Sequence, residues 1–354
     1  MKPSTIPSTI PSTIPSTIPS TIPSTIPSTI IVIGASAGGV DALAGLTAEL
    51  PADFPAAIFI VLHIGAHKSQ LPWLLNQRGA MPAAHPADGD AIEAGRIYIA
   101  PPDHHMALEA GRVRLTKGPR ENLARPAIDP LFRSAAEDYG ADVIGVILTG
   151  GLNDGTAGLY EVKERGGLAI VQDPAGAENP SMPQSALAHV AVDHCLPLLA
   201  IAPLLVRLVK ARAKVVGKAS QPSTKIQVPE MTAEFTLNRP VAVTCPDCGG
   251  ALRRKELGTL TQFECHIGHR YTAEVMLAAQ FLAMERFIEA AMRSMSERAE
   301  LCREMAEKPG DRGVKEPWLA AMHEAKDQTA PLRALLEREW LHPKAASLET
   351  APAL

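Results

Sequence analysis

The chain has 354 residues, 46 % of them hydrophobic and 20 % charged, with a formal net charge of −4. That length accommodates two domains, one with a sizeable core, and the charge supplies no general attraction to nucleic acid or to an anionic membrane surface. No run approaches the roughly 18 consecutive apolar residues of a membrane span, and the N-terminus lacks the basic and apolar regions of a secretory signal, so a cytoplasmic protein without membrane insertion is expected.

Residues 3–30 are seven tandem copies of Pro-Ser-Thr-Ile. A proline at every fourth position forbids a helix and removes ladder donors, which predicts an extended, disordered tail over residues 1–29. The last Thr-Ile runs into "IVIG" and can begin the first strand. From residue 30 to 211 strands alternate with helices. "TIIVIGAS" reads as a buried strand, "GVDALAGLTAEL" as a helix, "AAIFIVLH" as a strand and "SQLPWLLNQ" as a helix. Short strands "GRIYIA" and "RVRLT" follow. Then come the helix "DPLFRSAAEDYG", the strand "DVIGVILTG", the helix "GTAGLYEVKERGG" and the strand "LAIVQD". Short apolar strands separated by helices imply an α/β domain: a doubly wound, mostly parallel sheet with helices on both faces.

Residues 212–240 are rich in Lys, Ser, Pro and Thr and read as a linker. A Cys/His module follows over 241–272, and 273–342 reads as a hairpin of two amphipathic helices whose Met and Leu stripe forms its core. Residues 343–354 read as a disordered tail.

In an open parallel sheet, ligands meet the carboxyl ends of the strands. The first strand delivers Ser36 there, the second His63, and "DVIGVILTG" leads through "GLNDG" to Asp154. A hydroxyl, an imidazole and a carboxylate at one sheet edge are the material for a nucleophile, its base and an orienting acid. Histidine titrates near neutrality and can accept the serine proton. The small residues of "GASAGG" let a carbonyl approach and leave backbone N–H groups free as oxyanion donors. Two other readings stay open on these residues. Ser36 can be a helix N-cap, or the glycine turn can bind a nucleotide, although Gly-x-Gly-x-x-Gly spacing and a P-loop Lys-Ser/Thr are both absent.

The blocks "IGASAGG", "VLH", "RIYIAPPDHHM", "RPAIDPLFRSAA", "GVILTGGLNDGTAGL" and "SMPQSAL" resemble, in order and spacing, the catalytic domain of chemotaxis protein-glutamate methylesterases, the CheB family, over roughly residues 30–210. The resemblance implies hydrolysis of glutamate methyl esters on the helices of methylated chemoreceptor-like proteins, and deamidation of receptor glutamines, with no cofactor for catalysis. Ser36 matches the family nucleophile, His63 the base and Asp154 the orienting acid. The backbone N–H groups of Ala37 and Gly151 are the candidate oxyanion donors. His105, Met106 and Met182 match blocks near the site, and a structural role is the stronger expectation for His105. Family members carry a receiver domain before this one. Here the catalytic strand follows the repeat, so a receiver-less form is expected. Gly151 stands where the family more often has methionine, and Leu123 and Ala124 where it has basic or histidine residues.

In the second module, "CPDCGG" and "CHIGH" supply Cys245, Cys248, Cys265 and His269. Two ligands from each of two turns suit a structural, tetrahedral Zn²⁺; His266 is the alternative fourth ligand. A basic patch limited to "ALRRKELG" and sparse aromatics argue against nucleic acid, so a zinc knuckle docking the hairpin onto a signalling partner is expected. Competing with the esterase are a non-catalytic signalling adaptor on the same fold and a zinc-knuckle nucleic-acid regulator.

Overall fold

The computed structural model describes residues 27–63, 69–216, 243–308, 315–338 and 340. Most of the expected N-terminal tail and linker, and all of the expected C-terminal tail, lie outside these residues.

The first domain runs β1 (Ile30–Ala35), α1 (Gly39–Ala48), β2 (Ala57–Leu62), α2 (Leu71–Arg78), β3 (Ala83–Ala84), β4 (Ile97–Ile99), β5 (His105–Glu109) and β6 (Arg112–Thr116). It continues with α3 (Ile128–Tyr139), β7 (Val143–Ile147), α4 (Thr156–Glu164), β8 (Leu168–Gln172), α5 (Ser181–His189), β9 (His194–Leu196) and α6 (Leu198–Val216). Seven strands form one sheet in the order β3-β4-β2-β1-β7-β8-β9, every pair parallel. Period-two alternation sends Ile31, Ile33 and Ala35 to one face, against residues of α1, α2 and α6, and Ile30 and Val32 to the other, against α3, α4 and α5. Both faces are covered, which is why β1, β2 and β7 are apolar throughout rather than alternating. This is the expected doubly wound architecture, and Ile30, the last residue of the repeat, is the first of β1.

Three details differ from the sequence reading. The strand of "RVRLT" pairs with β5 in a separate antiparallel hairpin, whereas "GRIYIA" supplies a strand of the main sheet. Helix α6 continues to Val216, past the expected domain end at 211, because the Lys-, Arg- and Ala-rich segment is helix-forming. The second helix of the expected hairpin is two helices.

The second module is a three-stranded antiparallel sheet of β10 (Leu252–Leu257), β11 (Leu260–Cys265) and β12 (Arg270–Thr272). Helix α7 (Ala273–Glu307) leaves it directly, capped by the Thr272 side chain, and packs with α8 (Lys315–Asp327) and α9 (Thr329–Leu336). The break between α8 and α9 precedes Pro331, which has no N–H to donate and fits only the opening turn of a helix. No described helix is long and apolar enough to cross a membrane.

The module lies against the first domain. Leu257 and Leu260 pack on Ala157 and Tyr160 of α4, and Leu123 packs on the module's own small core of Leu252, Tyr271, Val275, Met276 and Ala279. Arg270 pairs with Glu121, at 3.7 Å, and with Glu264, at 3.0 Å, while Glu121 also holds Arg133 at 2.7 Å.

Candidate active site and Cys/His centre

The three strands whose ends carry Ser36, His63 and Asp154 are neighbours at the centre of the sheet, in the order β2-β1-β7. The last β1–β2 pair is Ala35 with Leu62, and the next backbone contact runs from His63 N–H to Ala35 C=O. Ser36 and His63 therefore leave adjacent strands one position beyond the same rung. His63 is partly exposed, and its Nε2 lies 2.8 Å from Oδ2 of the buried Asp154. Since a carboxylate can only accept, Nε2 carries the proton and Nδ1 is left with a lone pair, the state a general base needs.

Asp154 accepts from three further donors: Ile128 N–H at 2.6 Å and Asp129 N–H at 3.4 Å, both in the first turn of α3, and the Asn122 amide at 2.9 Å. It thus sits on the positive end of a helix. Burial pushes its pKa up, but the hydrogen bond and charge of His63, with the Ile128 and Asn122 donors, outweigh burial and hold it below the usual carboxylate range. Its neighbour Asp129 goes the other way. Burial and the adjacent Asp154 charge raise it well above that range. Of the two buried carboxylates, Asp154 is the anion.

The turn that carries Ser36 is held tightly. Ser36 N–H donates to Thr149 C=O at 3.0 Å, and the Thr149 hydroxyl donates to Ala37 C=O at 2.9 Å. Helix α1 takes Gly38 as its N-cap, at φ 74°, with no side-chain cap hydrogen bond. Ser36 is therefore not the cap, and its side chain stands at the mouth, partly exposed. Gly150 has no room for a side chain: a Cβ there would lie 2.1 Å from Met182 Sδ and 2.9 Å from Ser36 Cβ. Neither Ala37 N–H nor Gly151 N–H meets an acceptor among the described residues, and Gly151 follows the glycine that abuts Ser36.

Of the other expected site residues, Met182 packs at Gly150, whereas Met106 is buried in the core cluster on the α3 face. His105 is buried, with Nε2 2.9 Å from Pro119 C=O and Nδ1 accepting Ala127 N–H at 3.3 Å. Both ring nitrogens are committed one residue before α3 begins, so it braces the loop that delivers Ile128 to Asp154. Burial lowers its pKa, opposed by the Pro119 hydrogen bond and the Glu121 and Asp154 charges. The folded protein keeps this imidazole neutral while the unfolded chain protonates below about pH 6.5, so stability falls as pH drops from there toward the folded-state value. In urea melts, wild type loses more stability than His105→Gln between about pH 7.5 and about pH 5.5; equal losses would refute this.

Sequence reasoning missed Asn122, Asn153 and Thr149, all buried. Asn153 Oδ1 accepts the Thr272 hydroxyl at 2.6 Å and its amide contacts Glu274 of α7.

At the second centre, Cys245, Cys248, Cys265 and His269 bring their ligand atoms within 4.8 Å of one another. His269 presents Nδ1, and its Nε2 is 3.9 Å from Asp247. His266, the alternative ligand, instead lies with its ring against Gly250.

The family model described as CheB methylesterase matches residues 31–205. A Leptospira interrogans protein (strain Fiocruz L1-130), named provisionally as a protein-glutamate methylesterase/protein-glutamine glutaminase, is 43 % identical over 181 residues, which cover 50 % of this chain and 93 % of that protein. The chain belongs to the CheB methylesterase family. A second CheB relative, protein-glutamate methylesterase/protein-glutamine glutaminase 2 of Anaeromyxobacter dehalogenans, is 41 % identical over 48 % of this chain and 50 % of its own length. The crystal structure of the Thermotoga maritima CheB methylesterase catalytic domain superposes with a TM-score of 0.49 at 35 % identity, covering 51 % of this chain and 98 % of that one.

Proposed function

We propose that this CheB family member is a serine hydrolase that demethylates glutamate methyl esters on chemoreceptor-type proteins and deamidates glutamines at the same site. The observation that carries the reading is the 2.8 Å hydrogen bond from His63 Nε2 to a buried, anionic Asp154, with Ser36 one strand over at the same height.

Ser36 Oγ attacks the ester carbonyl while His63 Nδ1 takes its proton. The tetrahedral oxyanion is met by the N–H groups of Ala37 and Gly151. Collapse breaks the C–OCH₃ bond, and the proton on Nδ1 passes to the departing oxygen, giving methanol and an acyl-serine. A water molecule, deprotonated by Nδ1, then adds to the acyl carbon; collapse expels Ser36 Oγ, which takes the proton back from Nδ1, and the acid released ionises to the glutamate carboxylate. A glutamine substrate follows the same path with ammonia leaving first. Asp154 stays ionised throughout, orienting the ring and stabilising the imidazolium.

The second centre fits a structural zinc ion. Zn–S bonds of about 2.3 Å and Zn–N bonds of about 2.0–2.1 Å in a tetrahedron require S–S edges of about 3.8 Å and S–N edges of about 3.6 Å. Cys248 and Cys265 sulfurs are 3.8 Å apart, and His269 Nδ1 lies 3.7 Å from Cys245 and 3.5 Å from Cys265. The ion would cross-link the two turns that start β10 and β12; Asp247, 3.9 Å from the other nitrogen of His269, accepts the Tyr271 hydroxyl at 2.7 Å.

The test is methanol release from a methylated chemoreceptor. Wild type releases methanol and Ser36→Ala does not; release that survives the substitution rejects the serine mechanism.

A further inference from the structure

Asn122 joins the Cys/His module to the acid of the triad. Its amide is fully used: Nδ2 donates to Asp154 Oδ1 at 2.9 Å and to Asp129 Oδ2 at 2.8 Å, while Oδ1 accepts Thr272 N–H at 3.1 Å. Its backbone N–H donates to Arg270 C=O at 2.8 Å. Thr272 and Arg270 belong to β12, immediately after His269. Asn153, the residue immediately before Asp154, is bound by Thr272 and Glu274. The β12–α7 corner thus grips the residue before Asp154 and the residue that hydrogen-bonds its carboxylate.

From this geometry we infer that Asn122 is a positioning residue for Asp154, and that the C-terminal module sets the orientation of its amide. The inference rests on the triad reading above. Three contacts fix the amide: Asp154 and Asp129 oxygens take Nδ2, and the N–H of Thr272 takes Oδ1. With that donor in place both Nδ2 hydrogens are held on the two carboxyl groups. Without it, Oδ1 is a buried acceptor lacking a partner, and the side chain loses its tie to β12. An amide free to move loosens its bond to Asp154 Oδ1, and with it the orientation that leaves Oδ2 directed at His63. Asn122 also sits at φ 50°, a conformation that asparagine and glycine tolerate best. Asn122→Gly therefore keeps the backbone and deletes only the amide.

The experiment uses the full-length protein and reads two quantities. One is the low-field proton signal of His63 Nε2–H in its hydrogen bond to Asp154; the other is kcat and KM for methanol release. Asn122→Gly shifts or broadens the signal and lowers kcat by about 10- to 100-fold with little change in KM, the size of effect expected of slightly misplaced catalytic groups. Asn122→Asp, which replaces the Nδ2 donor with a carboxyl oxygen facing Asp154 and Asp129, does the same. Tyr271→Ala, which hollows the module core, moves the signal in the same direction. A signal unmoved by Asn122→Gly and Asn122→Asp overturns the inference, and one that answers those but not Tyr271→Ala overturns the module's part. If wild type releases no methanol but the signal responds to all three, the positioning stands and the esterase reading falls.

Discussion

Ser36→Ala and Asp154→Asn both lower methanol release by about 10⁴-fold or more, but only Asp154→Asn also destabilises the protein. The Ser36 side chain makes no hydrogen bond among the described residues, so its loss removes the nucleophile and leaves the melting temperature unchanged. Asp154 is in the opposite position. Its two oxygens receive four donors, from His63, Asn122, Ile128 and Asp129. An amide in its place must set its NH₂ either at Oδ2, facing His63 and Ile128 N–H, or at Oδ1, facing Asn122 and Asp129 N–H. In the first case the imidazole loses the tautomer that leaves Nδ1 basic and Ile128 N–H is stranded. In either case a buried donor is stranded and the first turn of α3 loses its anion, at about 1–3 kcal/mol. Thermal melts beside the methanol assay separate the cases. A fully active Asp154→Asn would remove Asp154 from the triad, and an active Ser36→Ala would remove the serine.

The contrast with Asp129 sharpens the point. Both carboxyls are buried, both touch the Asn122 amide and both accept a backbone N–H from the first turn of a helix, Asp129 from Gly158 at 2.6 Å, yet only Asp154 has an imidazole partner. Environment decides which of them is the anion, as it does wherever two carboxylates share a site.

What the sequence exposed and what it concealed follow from the same physics. Strands buried on two faces are uninterrupted apolar runs, so β1, β2 and β7 stand out, and the polar residues just past their ends, Ser36, His63 and Asp154, are conspicuous by interruption. The Cys and His ligands are equally plain because thiolate and imidazole at short spacing have few other uses. The β10 and β11 strands were not visible. Between Leu252 and Leu257 the residues are Arg, Arg, Lys and Glu, which look like a solvated loop and are ordered by pairs such as Arg253 with Glu264 on the partner strand. Asn122 gave no local signal at all. It lies in a short polar stretch before α3, and its partners are Asp154 and Thr272, the latter 150 positions away. Asp129 was masked differently: an acidic residue in the first turn of a helix has an ordinary explanation in the helix dipole. Attention in "ENLARP" falls on Leu123 and Ala124, where the family differs, while the residue beside them that reaches the acid is unremarkable in composition. Leu123 has its own account, since it packs on the module core; a basic residue there would be pressed against apolar side chains.

Stripping metal from the protein unfolds the second module and leaves the first intact. The module's own core is a handful of side chains around Tyr271 and Leu252, too small to hold a three-stranded sheet by burial alone, and domains of this size need a staple. A structural zinc ion at the Cys/His centre would supply one, with apparent binding free energies on the order of 10–16 kcal/mol in small zinc modules. The first domain has two clusters of its own, one on each face of a seven-stranded sheet, and does not draw on the metal. Purified protein should carry about one zinc per chain by elemental analysis. A strong chelator, or Cys265→Ser, should erase amide-exchange protection in β10–β12 while β1, β2 and β7 stay protected. Cys265 is the informative choice because it ends β11 and its N–H closes the turn to His269 C=O at 3.0 Å, so its loss frees the residues that lead into Arg270 and Thr272. Protein that holds no metal and keeps the three strands protected in the presence of chelator would defeat the zinc assignment. If protection is lost as expected, the Asn122 amide loses its Thr272 donor at the same moment, and metal occupancy becomes a control on the carboxylate that orients His63.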